Sequence, residues 1–443
     1  MNRIKFGTDG IRGLAGTAPI DADTARKVGF AAGQVLADHG TAFMARDPRQ
    51  SGPMLETALA EGLCAAGTEV QLGGIMPTAA LALAIQSQQA DLGVMITASH
   101  NPARDNGIKL FASGGSKISD AQQAQMETII NQSADPLAGK PAKAATITDN
   151  NRLADPYLAL VHGLITGWPL HGIKLVVDCA NGAASCFAPM LLAEAGAEIV
   201  SIHHQPDGTN INLNCGSTHP QSLQQRVLSE QAHAGIAFDG DADRVLLVDE
   251  TGGLIDGDQI LARLATDWKA KNKLAGKSVV ATVMSNGGLA TYLSGLDVHL
   301  ERSAVGDRHV ADRMAEIKAN LGGEQSGHIL LPEILPSGDG LIAGLLPLLG
   351  LAASGQLASQ YLRPFEPLPQ LLHNVRHTGG NPLIDLAVKT AIRKVVQQLG
   401  KEGRVLVRAS GTEPLIRIMA EANTLEMAQS AIDQIAAAIV DAG

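Results

Sequence analysis

Leu175-Val176-Val177-Asp178, followed by a helical run from Ala188 to Ala195 and then by Glu198-Ile199-Val200, reads as a strand, a helix and a second strand. That unit belongs to an α/β protein. Lys277 to Val283 with Gly287 to Leu293 repeats the theme, and the alternation recurs three times in the same order, which predicts three related α/β domains with mixed sheets. The tail differs. Pro364 to Pro369 reads as a linker, and beyond it a helix near Leu383 to Leu399, strands at Arg404 to Arg408 and Leu415 to Ala420, and a last helix from Leu425 predict a small α+β domain. A chain of 443 residues is too long for one core. Breaks near Ala134 to Asn151, at Gly252-Gly253 and at the linker divide it into residues 1–151, 152–253, 254–365 and 366–443.

Working outward, Leu92-Gly93-Val94-Met95-Ile96 reads as a short buried strand, and Thr97-Ala98-Ser99-His100-Asn101-Pro102 follows it. A hydroxyl at the carboxyl end of a strand sits where α/β folds build their sites, so Ser99 is a candidate nucleophile or phosphate carrier. Turn chemistry explains the same residues without any function.

Asp239-Gly240-Asp241-Ala242-Asp243-Arg244 places three carboxylates at i, i+2 and i+4, which share one side if the backbone is extended. Mg²⁺ takes such oxygens and commonly completes its octahedron with a phosphate oxygen. A solvated acidic turn is the competing reading. A calcium loop is discarded, because the sharp-turn glycine of such loops would fall at Arg244 and Val245-Leu246-Leu247-Val248 continues as a strand.

Arg408-Ala409-Ser410-Gly411-Thr412-Glu413-Pro414-Leu415-Ile416-Arg417 is a hydroxyl- and glycine-bearing turn with an arginine at each end. Backbone N–H groups, two hydroxyls and guanidinium forks suit a phosphate, while a hairpin with two surface arginines is the plainer alternative. No G-x-x-x-x-G-K-[ST] occurs, so a nucleotide P-loop is excluded. Gly322-Gly323-Glu324-Gln325-Ser326-Gly327-His328 offers the donors and acceptors that sugar hydroxyls or an amine require. Arg12, in Phe6-Gly7-Thr8-Asp9-Gly10-Ile11-Arg12-Gly13, and Lys109, in Asn106-Gly107-Ile108-Lys109, are cations suited to neutralise a transferring phosphoryl group.

Composition agrees with a well-buried globular protein: 45% hydrophobic residues, 18% charged, and a net charge of −10. That charge argues against nucleic acid or an anionic membrane as partner and leaves phosphate binding to local arginines. Cys64, Cys179, Cys186 and Cys215 form no C-x-x-C pair, and a reducing cytoplasm is the expected setting. The apolar run from Gly340 to Ala353, broken by Pro347, is too short for a membrane span and reads as a buried helix in two pieces.

In this order, F-G-T-D-G-I-R-G, T-A-S-H-N-P-x-x-D-N-G-I-K, D-G-D-x-D-R, G-E-Q-S-G-H and R-x-S-G-T-E-P-x-x-R resemble the α-D-phosphohexomutase superfamily from Phe6 to Arg417. Within it the chain is most similar to the branch acting on glucosamine phosphates, through the first motif, Gly216-Ser217-Thr218-His219-Pro220 and Val305-Gly306-Asp307-Arg308. The resemblance implies four domains around a central cleft and a phosphorylated Ser99. It implies Mg²⁺ held by Asp239, Asp241 and Asp243 with Ser99, a sugar-reading loop of Glu324, Ser326 and His328, and a phosphate loop of Arg408, Ser410, Gly411, Thr412 and Arg417. Arg12, His100, Lys109 and Arg244 match positions for acid/base work and charge neutralisation.

The implied reaction passes the phosphoryl group of Ser99 to glucosamine 6-phosphate, turns the resulting 1,6-bisphosphate over, and returns the other phosphate to Ser99. The glucosamine 1-phosphate formed would feed UDP-N-acetylglucosamine synthesis, a sugar 1,6-bisphosphate would serve as activator and intermediate, and closure of the C-terminal domain would exclude water. The expected assembly is a monomer or homodimer. Pro48, Ala79, Arg104, Ala242 and Ala409 depart from the family's usual residues. At Ala242, where glycine is usual, the departure implies a backbone conformation open to both residues. Two rivals remain at this stage: a phosphomannomutase or phosphoglucomutase of the same superfamily, and a Mg²⁺-dependent phosphatase, which would need no second phosphate clamp.

Overall fold

The computed structural model describes residues 3–7, 9–37, 39–132, 145–377, 381–409 and 415–442. The first sheet comprises β1 (Ile11–Leu14), β2 (Thr41–Arg46), β3 (Glu69–Ile75), β4 (Leu92–Ile96), β5 (Asp105–Ala112) and β6 (Ile147–Asp149), in the order β1-β5-β4-β2-β3-β6. The second holds β7 (Lys174–Asp178), β8 (Glu198–Ile202), β9 (Ala234–Phe238), β10 (Val245–Asp249) and β11 (Leu254–Ile255), ordered β11-β10-β9-β7-β8. The third holds β12 (Ser278–Thr282), β13 (His299–Ser303), β14 (Gly322–Gly323) and β15 (Ile329–Leu330), ordered β13-β12-β14-β15.

One kernel recurs in all three. A first strand pairs in parallel with the second and third, and a fourth returns antiparallel along the third: β2 with β3 and β4, then β5; β7 with β8 and β9, then β10; β12 with β13 and β14, then β15. The predicted alternation is thus a repeated fold with mixed sheets. The loop joining third and fourth strands leaves each sheet at the equivalent place, and these loops are residues 97–104, 239–244 and 324–328. β4, β9 and β10 are buried at every residue, which is why they read as unbroken apolar runs rather than alternating ones.

Helix starts follow local chemistry. Asp21, Asp256, Asp339 and Asp385 each accept backbone N–H groups of the turn they precede. The segment expected as two pieces is one helix, Gly340–Ser354, with Pro347 inside. Proline removes one helical hydrogen bond, but Leu341, Ile342, Ala343, Leu345, Leu348 and Leu351 are buried on this helix, and that burial holds it together. Gly340 has no room for a side chain, since a Cβ there would lie 2.4 Å from the carbonyl oxygen of Arg244.

The fourth sheet, β16 (Gln370–Arg376), β17 (Gly403–Ala409) and β18 (Leu415–Ala422), is antiparallel with β18 central, and helices Leu386–Leu399 and Leu425–Ala442 complete the α+β unit. One apolar cluster runs through the first three sheets, from Phe43 and Met76 through Leu175 and Phe238 to Val279 and Leu341. The tail has its own, built on Ile416, Ile418, Ile432 and Ile435. Polar contacts join the tail to the third sheet's region: Arg404 donates to the carbonyls of Val283 and Ser285 (2.7 and 2.5 Å), and Glu421 accepts from the Gly287 N–H at 2.9 Å. All four cysteines are free thiols, and among the described residues no helix is long and apolar enough to cross a membrane.

Candidate active site

Ser99 lies immediately beyond β4, almost fully buried, with φ of 51°. A left-handed serine costs on the order of 1 kcal/mol and persists only where its surroundings over-determine it. They do. The Ser99 N–H donates to Thr97 Oγ1 at 2.8 Å, and its carbonyl accepts from Arg49 Nη2 at 2.9 Å and Asn212 Nδ2 at 2.8 Å. Arg49, fully buried, also donates to the carbonyls of Asn101, Pro102 and Asp105 and pairs with Asp47 at 2.8 Å. The segment around Asp47 is therefore the scaffold of the serine loop.

The hydroxyl itself points at the acidic loop, donating to Asp239 Oδ2 at 2.5 Å, with His100 Nδ1 3.3 Å away. Carboxylate oxygens of Asp239, Asp241 and Asp243 lie within 4.8 Å of one another. They gather through a turn and not, as the spacing had implied, along an extended strand, because β9 ends at Phe238 and Ala242 takes φ of 60°. This corrects the expectation for Ala242, which occupies the left-handed region where glycine is favoured. Replacing it with glycine (Ala242→Gly) should raise stability by about 0.5–1 kcal/mol in chemical denaturation, with the activity retained.

Lys109 is buried against this cage, donating to Asp241 Oδ2 and Asp243 Oδ2 at 2.8 Å each and lying 3.2 Å from Asp9. Burial alone would depress its ammonium, but the three carboxylates hold it well above the usual lysine range. Asp241 Oδ2 also accepts from Thr78 Oγ1 at 2.7 Å. Burial, reinforced by Asp243 and Asp241, pushes Asp239 well above the usual carboxylate range. Lys109, His328 and Arg244 face the same cage and hold Asp243 well below the usual carboxylate range despite its burial.

Oδ1 of Asp241 and of Asp243 are buried with no hydrogen-bond partner among the described residues, as are Nε of Arg12 and of Arg244. Asp243 Oδ1 keeps only looser charge contacts, with His328 Nδ1 at 3.5 Å and Arg244 Nε at 4.0 Å, so buried carboxylate oxygens without hydrogen bonds fit a divalent cation, and the arginine nitrogens without hydrogen bonds fit an anion. Burial, then Arg244 and Arg12, push His100 down to about 4, so its imidazole is neutral at pH 7.

The third loop divides its residues. Glu324 accepts from the Gly306 N–H at 3.0 Å, and Ser326 is exposed, 3.4 Å from Glu324. His328, expected to read sugar with them, is instead buried between Asp243 (3.5 Å) and Asp307 (3.3 Å). Burial opposes its charge, yet Asp243 and Asp307 outweigh it and raise the imidazolium to about 9. A histidine raised above its unfolded value near 6.5 stabilises fully below that value and loses the contribution as pH climbs through 9. Metal-free protein should therefore lose on the order of 3 kcal/mol between pH 6.5 and 9.5 through this group. His328→Gln should remove that part of the slope in urea titrations run with chelator.

In the C-terminal unit, Arg408 and Arg417 stand directly opposite one another on β17 and β18. Like charges so placed are unfavourable until an anion lies between them. They line a cavity of ≈ 270 Å³ with Asn374 and Met284. Ser410, Gly411 and Thr412 lie outside the described residues. Sequence reading missed Thr78, Asn212, Lys117 and Asp307 as parts of the site. Lys117 reaches both Asp9 and Asp307, and nothing local in the sequence marks it.

Four family profiles match in order, all described as phosphoglucomutase/phosphomannomutase: α/β/α domain I over residues 3–136, domain II over 165–253, domain III over 256–368 and the C-terminal domain over 372–441. A phosphoglucosamine mutase of Gluconacetobacter diazotrophicus is 48% identical, covering 99% of this chain and 98% of its own. Among solved structures, a phosphoglucomutase/phosphomannomutase family protein of Burkholderia thailandensis is 26% identical with a TM-score of 0.79, covering 98% of this chain and 97% of that one. The Aspergillus fumigatus N-acetylphosphoglucosamine mutase, solved with GlcNAc-6P and magnesium, is 21% identical with a TM-score of 0.71 over 99% of this chain and 96% of its own, a likeness of fold.

Proposed function

The chain belongs to the phosphoglucomutase/phosphomannomutase family, the α-D-phosphohexomutases, and from that premise we propose that it interconverts glucosamine 6-phosphate and glucosamine 1-phosphate through a phosphorylated Ser99. The observation that carries this reading is Ser99 Oγ held 2.5 Å from Asp239 within a buried carboxylate triad.

Ser99 Oγ carries the phosphoryl group. Its P–O bond breaks as a bond forms to one sugar hydroxyl, whose proton passes by way of the neutral His100 imidazole to the departing Ser99 Oγ. The bisphosphorylated sugar turns over, and its other phosphate returns to Ser99 as the proton goes back. Magnesium, bound by Asp239, Asp241 and Asp243 with Ser99, would supply Lewis-acid charge at the transferring group. Arg12 and Arg244 meet the phosphoryl oxygens, and Lys109, charged among three carboxylates, keeps the cage in place. Arg408 and Arg417, with Ser410, Gly411 and Thr412, hold the phosphate that is not reacting. Glu324 and Ser326 present acceptor and hydroxyl to the sugar. The separate core of the C-terminal unit and its polar seam suit closure over the substrate. The product would feed UDP-N-acetylglucosamine synthesis.

Phosphorus NMR of the protein with Mg²⁺, glucosamine 6-phosphate and a trace of hexose 1,6-bisphosphate tests the reading. Glucosamine 1-phosphate should appear faster than glucose 1-phosphate does from glucose 6-phosphate. Free phosphate would make the protein a phosphatase, and preference for mannose or glucose phosphates would move it to a sister activity.

A further inference from the structure

A second group of ligand-type side chains stands at the end of β7. A carboxylate oxygen of Asp178, a ring nitrogen of His203 and the sulfur of Cys215 lie within 4.8 Å of one another. Asp178 and Cys215 are fully buried, while the His203 side chain is 31% exposed and opens the cluster to solvent. Asp178 Oδ2 accepts the Gly216 N–H at 2.9 Å and lies 3.1 Å from His203 Nδ1. That nitrogen is buried and has no aligned hydrogen-bond partner among the described residues. An ion pair of Asp178 with His203 accounts for the short separation but leaves both the misaligned nitrogen and the converging sulfur without a role.

One oxygen, one nitrogen and one sulfur suit zinc, whereas magnesium takes oxygens alone. A tetrahedral site with bonds of about 2.1 Å has edges of roughly 3.4 Å, close to the separation of the oxygen and nitrogen here. The carboxylate and a thiolate together offset the charge of a divalent ion.

His203 and Cys215 come from loops beside the Asp178 end of β7, and the loop of Cys215 reaches the serine. The Asn212 N–H donates to the carbonyl of Ala180 at 2.9 Å, and Asn212 Nδ2 donates to the carbonyls of Ser99 and Asn101 at 2.8 and 3.1 Å. Ala180, Asn181, His203, Asn212 and Asn214 all have positive φ. We propose that Asp178, His203 and Cys215 bind Zn²⁺, with water as fourth ligand, and that the ion ties together the loops whose Asn212 grips the serine segment. Binding releases the proton of the Cys215 thiol and any proton on His203 Nδ1.

The full chain, stripped with chelator, reloaded with Zn²⁺ or Co²⁺ and desalted, tests this by elemental analysis and absorption. Wild type should retain one equivalent of zinc, and the cobalt form should show a thiolate-to-metal charge-transfer band. Cys215→Ser should lose the band, and His203→Ala, at a partly exposed position, should bind Zn²⁺ at least about tenfold more weakly. Zn²⁺ should raise the melting temperature of wild type and not of His203→Ala. Asp241→Asn should keep both zinc and band. No stoichiometric zinc in wild type, a band that survives Cys215→Ser, or zinc lost in Asp241→Asn would overturn the proposal, the last by placing the ion in the acidic cage.

Discussion

Ser99→Ala should lower turnover of glucosamine 6-phosphate by at least about four orders of magnitude while leaving the melting temperature within a few degrees of wild type. The two halves of that result have separate causes. Chemistry needs Oγ, the only atom removed. The fold hardly uses it: the loop is held through its carbonyls by Arg49 and Asn212, and the hydroxyl makes one strong bond, to Asp239. Alanine and serine share the same β-carbon, so the left-handed backbone is no harder to hold. Initial rates by phosphorus NMR and a thermal melt on the same sample check both halves, and full activity in this variant would sink the phosphoserine mechanism.

Asp241→Asn should cost roughly 10²- to 10³-fold in rate and flatten the dependence on Mg²⁺. Its Oδ1 is a buried oxygen free to meet a cation, and its Oδ2 serves Lys109 and Thr78. Asparagine keeps the shape and one acceptor, so Thr78 retains a partner, and Lys109 retains Asp243 and Asp9. The loss then reports the missing charge rather than a collapsed loop. A magnesium titration of initial rates decides: an unchanged curve would remove Asp241 from the metal site.

Much of this architecture was legible in the chain. Strands buried on both faces announce themselves as apolar runs, and the tail's helices and strands begin within a few residues of where periodicity put them, as at Leu386–Leu399 and Leu425–Ala442. Pro347 misled because proline's cost is local, whereas the burial that offsets it comes from neighbours distant in sequence. The same reason hid Thr78 and Asn212, single side chains whose value lies in bonds to Asp241 and Ser99 across more than a hundred residues. His328 was legible as a member of its motif but not as a buried imidazolium, since Asp307 approaches from the first turn of helix Asp307–Ile317. Ala242 shows the converse. Its departure from glycine was visible at once, yet only the turn geometry shows that the chain accepts a left-handed alanine there.

The threefold kernel also has a consequence for how such a protein can change over generations. Each copy of the fold donates one loop from the same corner, so Ser99, the three aspartates and Glu324 with Ser326, the groups we propose as nucleophile, cation cage and sugar contacts, are carried by three separate mutational targets. On that assignment, drift in the loop after β14 would retune which sugar is accepted while the serine and the aspartates stay under the protection of their own sheets. A new specificity is then reached by rewriting one copy, with no need to reinvent the chemistry lodged in the other two.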